Sequence, residues 1–156
     1  MLFRSPLKLM TKLKHRRRKN TEKGSQKNIQ AHYDLGNSFY ELWLDSSMTY
    51  SSALYDEEHA DLESAQQNKY AQAFRSLDLK DNASILEIGC GWGGFMEFAI
   101  QHEIKIKGIT ISPNQLEYAR ERLACFDHRH ELELIDYRKV KGPFDAIVSI
   151  EMFDAP

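Results

Sequence analysis

The sequence has no apolar stretch approaching the roughly 20 residues that a membrane-crossing helix needs, so a transmembrane span is excluded. Its two cysteines, Cys90 and Cys125, are too few for a disulfide-built secreted scaffold and point to a reducing compartment. It contains no internal repeat and no low-complexity segment. Acid is scarce at one end only. Residues 1–30 hold ten Lys/Arg and a single acid, Glu22, for a charge of +9. Residues 31–156 hold eleven Lys/Arg and twenty-two acids, for −11. The formal net charge of −2 therefore conceals a basic arm joined to an acidic body. The rest is ordinary: 156 residues, 42% hydrophobic and 28% charged, the composition of a globular protein of about one domain.

Within the arm, Phe3, Leu7, Met10 and Lys14 fall at helical spacing, with Leu9 and Leu13 on the apolar side. Arg4, Lys8 and Lys12 recur every four residues before Arg16-Arg17-Arg18-Lys19. Three readings stay open, in falling order of weight: a solvated tail, a basic amphipathic segment on an anionic membrane surface, and phosphate contact with nucleic acid. A secretory signal peptide does not fit, because Pro6, Lys8 and Lys12 interrupt the ~7–15-residue apolar core it requires. An Arg-rich, acid-poor organellar transit peptide stays open.

Downstream, Ile29, Tyr33, Leu35, Phe39, Tyr40, Leu42, Trp43 and Leu44 make residues 28–45 dense in apolar and aromatic groups. With Gly36-Asn37 as punctuation, two short helices around a turn are expected. Residues 46–61 are polar and read as a loop. The spacing of Leu62, Ala65, Tyr70, Ala73, Phe74 and Leu77 predicts a helix over 62–77. A different rhythm then begins. Ser84-Ile-Leu-Glu-Ile88 reads as a strand, 89–94 as a glycine loop, and 95–102 as a helix. A second strand is expected over 104–111. Ser112 as N-cap and Pro113 at the first helical position open a helix to about Ala124. Third and fourth strands are expected over 131–135 and 144–150. Strands alternating with helices imply an α/β fold with a parallel sheet.

The loop Gly89-Cys-Gly-Trp-Gly-Gly94 follows a strand and opens a helix, the setting in which glycine lets backbone approach a ligand. Gly89, Gly91 and Gly94 also satisfy the dinucleotide pattern G-x-G-x-x-G. That pattern wants an acid about twenty residues on, at the end of the second strand, for the ribose hydroxyls. Gly108-Ile-Thr-Ile-Ser112 offers none. The spacing alone thus leaves a nicotinamide dinucleotide as the weaker reading, with a purely structural strand–helix turn weighed beside it. Cys90 reads as a small loop residue and Cys125 as a helix-end packing residue. His128 and His130 form an H-x-H pair with no third ligand at metal spacing, so a surface turn is expected and no metal site.

Five segments carry a family signature in order: His32-Tyr-Asp-Leu-Gly-Asn37, Met48-Thr-Tyr-Ser-Ser52, Leu86-Glu-Ile-Gly-Cys-Gly-Trp-Gly-Gly94, Gly108-Ile-Thr-Ile-Ser112 with Gln115, and Phe144-Asp-Ala-Ile-Val-Ser-Ile-Glu-Met-Phe153. The chain resembles the cyclopropane-fatty-acyl-phospholipid synthases and the related mycolic acid cyclopropane synthases, methyltransferases that use S-adenosylmethionine. Arg18-Lys-Asn-Thr-Glu-Lys-Gly-Ser25 looks like the family's lead-in. The resemblance implies a Rossmann-like class I methyltransferase fold with sheet order 3-2-1-4. It implies a basic arm over 1–30, a helical cap on the substrate side over 31–82, and a partial cofactor-binding domain over 83–156.

Matched positions take implied roles. Tyr50 and Ser51 would lie over the cofactor, and Gly89, Cys90, Gly91 and Gly93 would line its methionine and ribose side. Thr110, Ser112 and Gln115 match the segment standing in for the missing ribose carboxylate. Asp136 and Tyr137 match adenine-side positions. The implied chemistry is methyl transfer to the double bond of an unsaturated phospholipid acyl chain, with a bound bicarbonate removing the proton that closes the ring. Ser52 and Asp154 stand where the family has a Cys and a Glu of the bicarbonate site, and are the catalytic residues expected. The implied setting is cytoplasmic, peripheral to the inner membrane surface, with the arm on phospholipid and no nucleic acid. The sequence stops after the fourth strand, whereas family members continue well over a hundred residues, and Asp154-Ala-Pro156 departs from the family's Glu-x-Val-Gly continuation. A truncated product is expected, needing a complementing chain or a homo-oligomer for activity. A non-catalytic cofactor-binding remnant and a methyltransferase of soluble small molecules are the competing functions.

Overall fold

The apolar runs fold as four parallel strands whose crossover helices bury one sheet face. The computed structural model describes residues 36–126 and 129–152. The expectations for the arm, for residues 28–35, for His128 and for Asp154 lie outside these residues. The elements, in chain order, are α1 (Asn37–Tyr40), α2 (Leu62–Ser76), β1 (Ser84–Ile88), α3 (Gly94–Gln101), β2 (Lys105–Thr110), α4 (Pro113–Leu123), β3 (His130–Leu134) and β4 (Ala146–Val148). A 3-10 turn, Tyr137–Lys139, follows β3. The sheet order is β3-β2-β1-β4. β1 pairs with β2 (Ile85 opposite Ile106, Glu87 opposite Gly108) and with β4 (Leu86 opposite Ile147), all parallel.

Local chemistry sets the ends of the helices. The Asp61 carboxylate accepts from the Ser64 amide at 2.9 Å to cap α2. Ser112 Oγ accepts from the Gln115 amide, and Pro113 takes the first position of α4, where its missing N–H costs nothing. Ile85, Phe95, Met96, Ala99 and Leu123 are buried with Tyr70 in one core, so α2 shares the core of the sheet. Tight packing of α3 on β2 depends on Gly108. A Cβ there would lie 2.2 Å from Met96 Sδ, well inside contact distance. Across β2 and β3, Lys107 bridges Glu131 and Glu133 at 2.8 and 2.7 Å.

Two expectations are corrected. β4 covers only Ala146–Val148, not 144–150. Side chains take part at its ends: the Asp145 amide donates to the Ser84 carbonyl while its carboxylate accepts from the Ser84 amide, and Ser149 Oγ donates to the Ile88 carbonyl. Cys125 is exposed just past the end of α4, and so is not a packing residue. Of the two short helices expected over 28–45, the one after Gly36 is the single turn α1, and the other falls outside the described residues. Among the described residues no helix is long and apolar enough to cross a membrane.

Candidate functional site

Parallel strands discharge their following loops at one edge of the sheet, and ligands of such folds bind there. Here the amides of Gly89 and Cys90 both donate to the Ile109 carbonyl, at 2.9 and 3.0 Å, which stitches the glycine loop to the end of β2. The Ile135 amide donates to the Thr110 carbonyl at 3.0 Å, which brings the segment after β3 alongside. Gly89–Gly93, Thr110–Gln115 and Asp136–Tyr137 therefore adjoin one another.

Gly91 has φ +53°, and a Cβ built on it would meet no atom within 4 Å. The backbone is thus open on that side. A larger residue would face the left-handed cost of about 1 kcal/mol and would fill the space. Two positions before the loop, Glu87 is buried and its Oε2 has no partner. Enclosure disfavours the charged form and lifts the carboxyl to about 8. The sequence reading passed over Glu87, although a lone carboxylate in the apolar strand Ser84–Ile88 was the available signal. Cys90 is buried, and its thiol is pushed up by burial and by Glu87, so it is a neutral loop residue as expected.

Thr110, Ser112 and Gln115 are buried and bonded to one another. Thr110 Oγ1 donates to Gln115 Oε1 at 3.0 Å and accepts from the Ser112 amide at 3.1 Å. These three side chains build the turn at the end of β2. Asp136 caps the 3-10 turn and accepts from the amide and Nε of Arg138, at 3.0 and 2.8 Å. Hydrogen bonding to Arg138 holds its carboxyl down at about 2. Tyr137 is exposed, with the Arg138 guanidinium 5.7 Å above its ring.

The segment 45–52 forms a strap packed against the loop. A Cβ on Gly94 would meet the Ser47 carbonyl at 3.0 Å and the Tyr70 hydroxyl at 2.5 Å, so glycine admits both. Arg122 on α4 donates to the Ser47 and Ser46 carbonyls at 2.5 and 2.7 Å. Thr49 Oγ1 bridges Ser47 and Tyr70 by hydrogen bonds. Trp92 Nε1 donates to Asn37 Oδ1 at 2.8 Å and its ring lies 5.0 Å from Tyr40, which anchors α1 to the loop. Tyr50 stands half-exposed on Tyr40 and Trp43, with ring centroids 5.5 and 5.4 Å away. Lys69 on α2 donates to Ser51 Oγ at 2.5 Å and to the Ser52 carbonyl at 2.9 Å. The Ser52 amide donates to Glu151 Oε1 at 3.1 Å, and its hydroxyl donates to the same oxygen. Lys69 and Glu151 were given no role from sequence, since nothing in the spacing of α2 or of the segment after β4 shows that both reach Ser52. Among the described residues no group of three or more His, Cys, Asp or Glu is placed to hold a metal ion.

Comparison with known proteins matches residues 20–155 to the mycolic acid cyclopropane synthetase family. A probable fatty acid methyltransferase of Pseudomonas putida is 38% identical over 143 residues, 88% of this chain and 36% of the relative. The cyclopropane-fatty-acyl-phospholipid synthase of Escherichia coli K12 is 42% identical over 124 residues, 79% of this chain and 32% of the relative. The structure of the mycolic acid cyclopropane synthase CmaA1 complexed with SAH and CTAB superposes with a TM-score of 0.78 at 34% identity, over 82% of this chain and 46% of that one. The chain thus spans about a third of the length of these curated relatives. Its 3-2-1-4 sheet is that of class I methyltransferases. With sequence, topology and loop in agreement, the chain belongs to the mycolic acid cyclopropane synthetase family.

Proposed function

We propose that this chain carries the S-adenosylmethionine-binding part of a methyltransferase acting on double bonds of unsaturated lipid acyl chains. The observations that carry it are the open backbone at Gly91 and the buried, unpartnered Glu87 Oε2 at the end of the strand that leads into the same loop. Asp45 Oδ1 and Gln66 Oε1, on the strap and on the helix facing it, are likewise buried without a partner. A donor-rich nucleoside suits Asp45 Oδ1 and Gln66 Oε1, since each unpaired buried acceptor costs roughly 1–3 kcal/mol that a ligand donor would recover. When bound, the cofactor supplies an electrophilic methyl group.

The chain's own residues then bind, orient and exclude water. Glu87 and the backbone of Gly89, Cys90, Gly91 and Gly93 take the methionine and ribose side. Thr110, Ser112 and Gln115 shape the turn that borders the ribose. Asp136 acts through the turn it caps, which presents Tyr137 to the adenine side. Tyr50 and Ser51 close the mouth from the strap. An alkene is a weak nucleophile, so holding it against the methyl is most of the work. Names of the relatives support an acyl substrate, fatty acid in one and phospholipid in the other. A phospholipid chain and a cyclopropane product are the finer parts of the proposal. A bicarbonate is not part of the proposal: of the two residues expected to bind it, Asp154 lies outside the described residues and the Ser52 hydroxyl donates to Glu151. No proton transfer is routed through one.

Calorimetric titration of the full chain with S-adenosylmethionine and S-adenosylhomocysteine tests the reading. Saturable binding in the micromolar range is expected for both. Absence of binding by a cooperatively folded chain would overturn it. Methyl transfer to vesicles of unsaturated, but not saturated, phospholipid tests the acyl part. Binding without transfer would leave a cofactor-binding module.

A further inference from the structure

We propose that Lys69 is a positioning residue: together with Glu151 it clamps the Tyr50–Ser52 strap against the glycine loop and thereby sets the affinity of the site for its nucleoside. The ligand named rests on the function proposed above, whereas the clamp itself does not.

Gln66, Lys69 and Tyr70 sit at i, i+3 and i+4 on α2, and so share one face of the helix. All three spend their polar ends on the strap. Gln66 Nε2 donates to the Ser51 carbonyl at 2.9 Å, Lys69 Nζ reaches Ser51 Oγ at 2.5 Å and the Ser52 carbonyl at 2.9 Å, and the Tyr70 hydroxyl bonds Thr49. From the opposite side, the Glu151 carboxylate takes both donors of Ser52. The strap is therefore gripped between a cation on α2 and an anion beyond β4, and the two attract each other across it. A lysine on a helix ordinarily reaches for water. This one is part-buried: burial lowers its ammonium to about 8, with Glu151 and Asp45 opposing the shift. Glu151 is held at φ +55°, a conformation non-glycine residues keep only where their surroundings over-determine it. Tyr50 and Ser51, the strap residues proposed to close the site, lie directly beside the clamped carbonyls.

The test compares the full chain with Lys69→Met, Lys69→Arg and Glu151→Gln. Three quantities are read: amide hydrogen exchange across residues 50–53, S-adenosylhomocysteine affinity by calorimetry, and the thermal midpoint. For Lys69→Met we expect exchange at Ser52 to accelerate about tenfold and affinity to fall about tenfold, the scale of one lost charge-assisted hydrogen bond. The α2 amides and the midpoint should stay near wild type. Lys69→Arg, which keeps charge and donors, should restore most of both. Glu151→Gln keeps an acceptor but loses the charge, and should fall between. Wild-type strap exchange and affinity in Lys69→Met would overturn the clamp. So would an Arg variant as impaired as the Met variant, which would mark a packing role. If Lys69→Met does not fold, Glu151→Gln decides: unchanged exchange at Ser52 refutes the clamp. If the wild type does not bind the nucleoside, the functional reading fails, and strap exchange alone still decides whether the clamp exists.

Discussion

Glu87 keeps its proton up to about pH 8 in the folded chain, against 4.5 as its ordinary value. Between those two values the folded state binds more protons than the unfolded one, so its contribution to stability falls as pH rises. Above about 8 the full cost of a buried carboxylate is present. The thermal midpoint of the wild type should therefore drop between pH 5 and pH 8.5, and Glu87→Gln should flatten the drop and melt higher at pH 8. The same variant should bind S-adenosylmethionine more weakly. Unfolding scans at a series of pH values check the first point, and a midpoint rising with pH in the wild type would contradict it. Single residues such as this were the least legible part of the sequence. Glu87 stands within the glycine-loop segment, yet only the fold shows that its oxygen is enclosed and unpartnered. Asp136 was expected on the adenine side; its carboxylate is committed to Arg138, a contact that sequence spacing does not reveal.

Elements were read more easily, because each is set by local chemistry. α2 starts at Leu62 behind its Asp61 cap, β1 is Ser84–Ile88 as read, and α4 starts at Pro113 behind Ser112. How elements meet was harder to foresee. α3 lies so close to β2 that Gly108→Ala would drive its methyl into Met96, itself fully buried. Overpacking of this kind costs about 1–3 kcal/mol. Removing the obstructing side chain costs about 2–5 kcal/mol alone. The double variant Gly108→Ala/Met96→Ala should therefore lose less than the sum of the two single losses, since the new methyl occupies part of the space. Denaturant unfolding of the four proteins gives the coupling, and strict additivity would refute the close approach. β4 was read too long for a related reason. Apolar character continues to Ile150, whereas regular pairing ends where the Asp145 carboxylate takes the Ser84 amide and the Ser149 hydroxyl takes the Ile88 carbonyl.

At the scale of the whole molecule, charge is divided between a basic arm at +9 and a body at −11. The arm lies outside the described residues, so its expected behaviour rests on charge alone. If it meets a lipid surface, the chain should bind vesicles containing anionic phospholipid and release them as salt is raised, because exposed charges are screened over about 10 Å at 0.1 M. Sedimentation with vesicles checks this, and equal binding to neutral vesicles at high salt would refute it. The body's acids serve a different end. Glu131 and Glu133 flank Lys107 on the sheet, and Asp45 and Glu151 lie near enough to Lys69 to favour its charged form.

Sequence by itself determined the order of elements, the cap of α4, the parallel class of the sheet and the family, because those depend on periodicity, on turn residues and on motifs that keep their neighbours. It also located the glycine loop, since a strand, a glycine run and a helix in succession leave few other geometries. Tertiary structure alone decided which polar groups are spent and which remain. Burial left Glu87 without a partner, and Arg138 claimed Asp136. Folding also brought Lys69 and Glu151 to opposite sides of one strap. Those outcomes depend on enclosure and on contacts between residues far apart in the chain, and neither quantity is a property of any stretch of sequence.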